Sequence, residues 1–198
     1  MSTAGQVYRV RGRNKRSQHT RERIMGAVRE LLEEGSFHES TVEQVADRAG
    51  VSRATLYQHF RSRLDLVDAI CDSFAVNPAL IAIRAAEDLD ELIASTVRFW
   101  ASEDAILAQL YGAAAIDPAA KDFVARQRTD RRGEVERVMR LAGRTDKRSL
   151  ALVMTLTSYE TFSELRRAGL SDRQVTELLR DTAATSRSSR AARTSRAS

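Results

Sequence analysis

Apolar residues return every three or four positions along most of this chain, separated by polar and charged ones. Over residues 18–34 the apolar set is Ile24, Ala27, Val28, Leu31 and Leu32, one face of a helix that Gly35 ends, with Phe37 folding back onto it. Gly26 lies inside that helix at a cost of about 1 kcal/mol against alanine, which suggests close helix packing there. Val42, Val45, Ala46 and Ala49 stripe a second, short helix, and Leu56 and Phe60 anchor a third. A fourth starts near Ser62 and carries Leu64, Leu66, Val67, Ile70 and Phe74. Asn77-Pro78 breaks it, because the residue before proline is pushed out of helical geometry. Helical patterns then cover about 78–86, 89–101 and 103–115, and Asp117-Pro118 opens a longer helix to about Leu141, stopped by Gly143. Residues 146–167 read as one helix, with Leu150, Leu152, Val153, Leu156, Tyr159, Phe162 and Leu165 on it. After Gly169, Ser171 caps a last helix from Asp172 to about Ala183 that carries Val175, Leu178 and Leu179, completing an αα-hairpin. The pattern predicts an all-α fold.

Residues 41–63 carry the most specific information. Ser40 with Glu43, or Thr41 with Gln44, has the spacing of a capping box. Gly50 follows the second helix, where a positive φ is needed, and Ser52 can cap the third. Small Ala46 lets the two helices cross closely and Leu56 locks the corner, while Ala54, Thr55 and Gln58 point away from it. This is a helix-turn-helix, whose second helix enters the DNA major groove. Thr55 and Gln58 then address base edges, and Arg53 reaches a guanine or a phosphate. Tyr57, His59 and Arg63 are placed as phosphate clamps, and Thr41 completes the candidate DNA-binding set. At Arg63 the free amides of a helix start add to the attraction for an anion.

The run AGVSRATLYQHFRSRLDLV resembles the DNA-binding signature of tetracycline-repressor-type (TetR-type) bacterial regulators. Val45, Ala46, Ala49, Gly50, Val51, Ser52, Tyr57, His59 and Phe60 match that pattern as they stand. Two positions depart from it: the basic residue opening the next helix, usually lysine, is Arg63, and the acidic residue that often follows is Leu64. The resemblance covers about the first third of the chain. It implies a homodimer held mainly by the last two helices, residues 146–183, and a body that encloses a pocket for a small-molecule effector. Phe99, Trp100, Tyr111, Phe123, Tyr159 and Phe162 are the aromatic candidates for lining it, although aromatics at helical spacing also serve as ordinary core.

Charge sharpens this picture. Residues 1–23 hold seven basic side chains against Glu22 alone, and the last stretch adds Arg187, Arg190, Arg193 and Arg196 with no acid, so the middle of the chain is net negative. A basic arm beside a helix-turn-helix is a footprint for the phosphate backbone; the other reading is a solvated tail. The expected organisation is a disordered arm over 1–17, a DNA-binding domain over 18–76, a helical regulatory and dimerisation domain over 77–184, and a disordered tail over 185–198. No run of about 18 apolar residues is present and no secretory h-region opens the chain, so no membrane partner is expected. The single cysteine, Cys71, reads as a small buried filler, and its isolation suits the cytoplasm. No nucleotide-binding or zinc-hydrolase motif occurs, and His19, His38 and His59 lack metal-ligand spacing; neither an enzyme nor a cofactor is expected. The expected function is a DNA-binding transcriptional regulator, a repressor released from an inverted-repeat operator by a small molecule. The alternative is a helical ligand-binding or interaction protein without specific DNA readout.

Overall fold

The order of elements follows the apolar periodicity closely. The computed structural model describes the backbone of residues 3–194 and the side chains of residues 15–185. Its α-helices are α1 (Thr3–Glu33), α2 (Val42–Arg48), α3 (Arg53–His59), α4 (Arg63–Ser73), α5 (Pro78–Ala85), α6 (Leu89–Ser102), α7 (Asp104–Ala113), α8 (Pro118–Leu141), α9 (Lys147–Leu156), α10 (Tyr159–Arg167) and α11 (Asp172–Thr194). Short 3-10 turns follow α1 and α4, and no strand occurs among the described residues. The fold is all-α, with a helix-turn-helix in its amino-terminal part.

The chain divides into two compact units, Met1–Ser73 with Ala105–Val124, and Phe74–Asp104 with Ala125–Ser198. In the first, α1 packs on α2 and α4, and α2 on α3. Its core is Ile24, Val28, Leu32, Leu56, Phe60, Leu66 and Ile70, all nearly or wholly inaccessible. Burying each such side chain stabilises the unit by about 1.5–3 kcal/mol. In the second, α6 is the centre, packed by α5, α10 and α11. That explains why α6 is buried on most of its circumference, Ser95 and Thr96 included. Asn77 caps α5 by accepting from the Ala79 amide (2.9 Å), and its Nδ2 donates to Glu103 (2.8 Å) at the end of α6.

Several expectations give way here. The arm does not wait until Gln18 to become helical: α1 starts at Thr3. With no proline in the segment and an anchored helix beyond it, each further residue adds a backbone hydrogen bond without a new nucleus. The same reasoning extends α11 past Ala183 through an Ala- and Arg-rich stretch to Thr194; residues 195–198 lie outside the described residues. The domain junction falls at Ser73/Phe74, and residues 105–124, expected in the body, belong with the amino-terminal helices. Gly26 is exposed with nothing within 4 Å of where its Cβ would sit, so no close packing explains it. Cys71 is half-buried rather than a core filler.

The expected helix over 146–167 is two helices. Thr157 and Ser158 separate them: the Thr157 hydroxyl donates back to Val153 O (2.8 Å), and Ser158 caps α10 by accepting from the Thr161 amide (3.2 Å). Arg131 of α8 donates to Met154 O and to the Thr157 hydroxyl (3.3 Å). Side-chain groups thus supply partners that the helical ladder would otherwise have used, and the chain turns.

Candidate nucleic-acid interface

The corner between α2 and α3 is assembled from local caps and one distant arginine. Of the two possible capping boxes, Thr41 with Gln44 forms: the Thr41 hydroxyl accepts from the Gln44 amide (3.2 Å) and Gln44 Oε1 accepts from the Thr41 amide (2.7 Å). At the other end Gly50 takes φ +60°, and Val51 N donates back to Ala46 O (2.9 Å), closing a Schellman turn. Arg23 of α1 then donates to Ala49 O (2.6 Å) and Gly50 O (2.7 Å), taking up carbonyls that α2 leaves unused. A Cβ at position 50 would stand 2.5 Å from the Arg23 guanidinium nitrogen. Glycine is favoured here for its backbone conformation, and a side chain at this position would also push the Arg23 head aside. Ser52 caps α3 by accepting from the Thr55 amide (3.1 Å), and Leu56 and Phe60 bury its inner face.

On the outer face the expected residues fare differently. Arg53, Tyr57 and Gln58 are exposed, as is Thr41 at the start of α2. Arg53 is held by Glu43 (2.6 Å) and lies over the Tyr57 ring, 5.5 Å from its centroid, so its head is already oriented on that face. A hydrogen bond from the backbone of Glu43 itself, with Arg53 beside it, keeps the Glu43 carboxyl below its ordinary pKa. Thr55 is half-buried with its hydroxyl against Ser52 Oγ (2.8 Å), so it serves the cap as well as the face. His59 is half-buried beside Phe60. Arg63, expected as a phosphate clamp, turns inward: it bonds Asp117 (3.0 Å), Ser40 O (3.0 Å) and Phe37 O (2.6 Å). Asp65, one turn into α4, accepts from Ser62 Oγ and the Arg61 amide, and these two bonds hold its carboxyl below the ordinary value. The local pattern placed Glu43 in a possible capping box and Asp117 at a helix start. It gave no sign that Glu43 would hold Arg53, Asp117 would hold Arg63 or Arg23 would reach the turn at Gly50, because those partners lie in other elements.

The aromatic candidates for a ligand pocket do not gather at one place. Phe99, Trp100, Tyr159 and Phe162 form a chain of ring contacts in the second unit, with centroids 5.1, 5.7 and 6.1 Å apart in turn. Trp100 Nε1 donates to Thr157 O (3.2 Å) and the Tyr159 hydroxyl to Asp104 (2.7 Å). Burial, and then that carboxylate, push the Tyr159 phenol well above its ordinary pKa. Tyr111 and Phe123 pair edge-to-face in the first unit (6.3 Å). A large open space in the second unit lies elsewhere. A groove of about 890 Å³ runs between α5, α6 and α11, with Ala79, Ala82, Val97 and Ala101 along its apolar surface and Arg98 and Arg173 at its sides. None of the six aromatics lines it.

With this geometry in view, relatives are informative. Residues 24–70 match the family of bacterial regulatory proteins named for tetR. Over 54 residues the chain is 39% identical to the HTH-type transcriptional regulator UidR of Escherichia coli, a match covering 27% of this chain and 28% of UidR. Over 50 residues it is 40% identical to the HTH-type transcriptional activator FasR of Mycolicibacterium smegmatis, covering 25% of this chain and 23% of that one. The matched stretch thus spans about a quarter of these relatives' length. Among solved structures, a TetR-like transcriptional regulator from Rhodococcus superposes with a TM-score of 0.62 at 16% identity, over 83% of this chain and 93% of that one. A transcriptional regulator from Saccharomonospora viridis in complex with choline gives 0.57 at 18% identity, over 81% and 93%. Residues 24–70 are a helix-turn-helix DNA-binding domain of the TetR family. The chain as a whole has the fold of TetR-like regulators.

Proposed function

We propose that this chain is a transcriptional repressor that binds an approximate inverted repeat as a homodimer and leaves it when a small molecule binds the body. The observation that carries the DNA-binding part is α3 itself: a helix capped at its start by Ser52, with Arg53, Tyr57 and Gln58 exposed on its outer face. In this reading Arg53, Thr55 and Gln58 address bases, while Thr41, Tyr57 and His59 hold phosphates. The basic segment of α1 adds sequence-independent attraction. Dimerisation is assigned to residues 146–183, where Leu178 is 43% exposed and Leu150, Leu152 and Met154 are half-buried. A two-fold axis there would set half-sites about one DNA turn (~34 Å), or a multiple, apart. For the effector, the groove between α5, α6 and α11 is the better place than the close-packed aromatic chain; a protein of the same fold holds choline.

Selection of bound sequences from a random DNA pool, followed by salt-titrated binding, tests the reading. An inverted repeat should emerge, with affinity falling steeply as salt rises. Arg53→Ala and Gln58→Ala should each cost roughly 1–3 kcal/mol at particular base positions. A protein that enriches no sequence, or a base profile untouched by both substitutions together, would refute it.

A further inference from the structure

The residue that opens α4 occupies a position where a cation facing phosphate was expected, and its side chain faces the other way. Arg63 uses three edges of its guanidinium at once. Nε donates to Asp117 Oδ2 (3.0 Å), one terminal nitrogen to Ser40 O (3.0 Å) and the other to Phe37 O (2.6 Å). The plane lies over the Phe37 ring, 4.0 Å from its centroid. Asp117 is equally occupied: its other oxygen accepts from the Ala119 (2.8 Å) and Ala120 (3.3 Å) amides, capping α8. The pair is sheltered, with side-chain exposures of 27% and 15%.

We infer that Arg63 and Asp117 act together as positioning residues that fasten the helix-turn-helix in its DNA-reading arrangement, and that Arg63 is not a phosphate ligand. Four points of the chain meet on this pair: the turn after α1 through Phe37, the entry to α2 through Ser40, the start of α4, and the start of α8. Ser40 directly precedes Thr41, whose capping box begins α2, so Arg63 holds the helix-turn-helix at its entry. To reach a phosphate, the guanidinium would abandon a carboxylate and two carbonyls. The adjacent hollow, about 10 Å³ and lined by Leu32, Val67 and Leu110 among others, has hardly the space of one water to replace it. Only a planar fork serves three acceptors in this way; an ammonium is a point charge without that geometry. The arginine at a position where lysine is usual in the resembled signature thus has a structural reason.

The inference rests on the DNA-binding reading, and the two can fail separately. In the full chain, Asp117→Asn keeps the size of the side chain and an acceptor for the α8 amides but removes the charge that holds Arg63. If the pair positions the motif, affinity for the selected operator should fall roughly tenfold, with the salt dependence and base preference unchanged. A phosphate-binding Arg63 predicts the opposite sign, since a released guanidinium would hold or raise affinity. Arg63→Gln supplies a second arm: loss of a phosphate ligand would flatten the salt slope by about one, whereas loss of a positioning residue leaves it alone. Hydrogen exchange without DNA supplies a third, with the α2 and α3 amides expected to exchange faster in Asp117→Asn. Unchanged or increased affinity in Asp117→Asn, a flattened slope in Arg63→Gln, or unchanged exchange would each overturn the inference. If the parent protein bound no DNA while exchange still quickened, the DNA-binding reading would fall and the fastening of α2 and α3 would stand.

Discussion

At the residue scale, the corner of the helix-turn-helix depends on a meeting between Gly50 and Arg23. The positive φ at Gly50 costs an alanine roughly 1–2 kcal/mol by itself. An alanine there must also displace Arg23, whose bonds to Ala49 O and Gly50 O would be lost. Each hydrogen bond from a charged donor is worth about 1.5–3 kcal/mol, less at a solvent-exposed site such as this. Gly50→Ala should therefore lower the unfolding free energy by more than the conformational cost, and by a smaller amount in an Arg23→Ala background. Denaturant unfolding of the four combinations measures this. Equal losses in both backgrounds would show that Arg23 plays no part.

Among the helices, two glycines sit in exposed interiors with no neighbour to require them. Gly26 in α1 and Gly133 in α8 have nothing within 4 Å of an added Cβ, and neither has a positive φ. Alanine narrows the unfolded ensemble and favours the helix, so each substitution should stabilise by about 0.4–1 kcal/mol. Thermal unfolding of the single and double variants reads the gain; a loss at Gly133 would point to a partner surface on that face of α8. The break between α9 and α10 has a different logic. Thr157 is buried, Ser158 is a working cap, and Arg131 occupies the gap, so the interruption is built by three side chains rather than by a proline.

At the scale of the whole molecule, the proposed release from DNA requires that an effector prefer one state of the protein over another. A 100-fold preference for the DNA-incompetent state supplies about 2.7 kcal/mol, and equal affinity for both supplies nothing. If the groove between α5, α6 and α11 is the effector site, filling it with Ala82→Trp or Ala101→Trp should abolish induction while leaving operator binding intact. Operator binding measured in the presence of metabolite extracts checks this. Retained induction in both variants would move the effector site elsewhere in the body.

What the sequence determined by itself is the part of this protein that local forces decide. Most helix positions follow from apolar spacing of three and four, although that spacing missed the start of α1, the break between α9 and α10 and the end of α11. The caps at Thr41, Ser52 and Ser171 follow from hydroxyl groups placed beside unsatisfied helix amides, and Gly50 from a turn that needs positive φ. These interactions reach no further than a few residues, which is why the helix-turn-helix and the all-α fold were legible. The tertiary structure alone decided which distant groups meet. Arg23 finds a turn 26 residues away, and Arg63 finds Asp117 across 54. Residues 105–124 join the amino-terminal unit, and the aromatic side chains stack as core and leave the open space to a groove floored by alanines. No spacing rule encodes such contacts. They follow from packing whole helices, and a guanidinium bonds whichever acceptors that packing brings within reach.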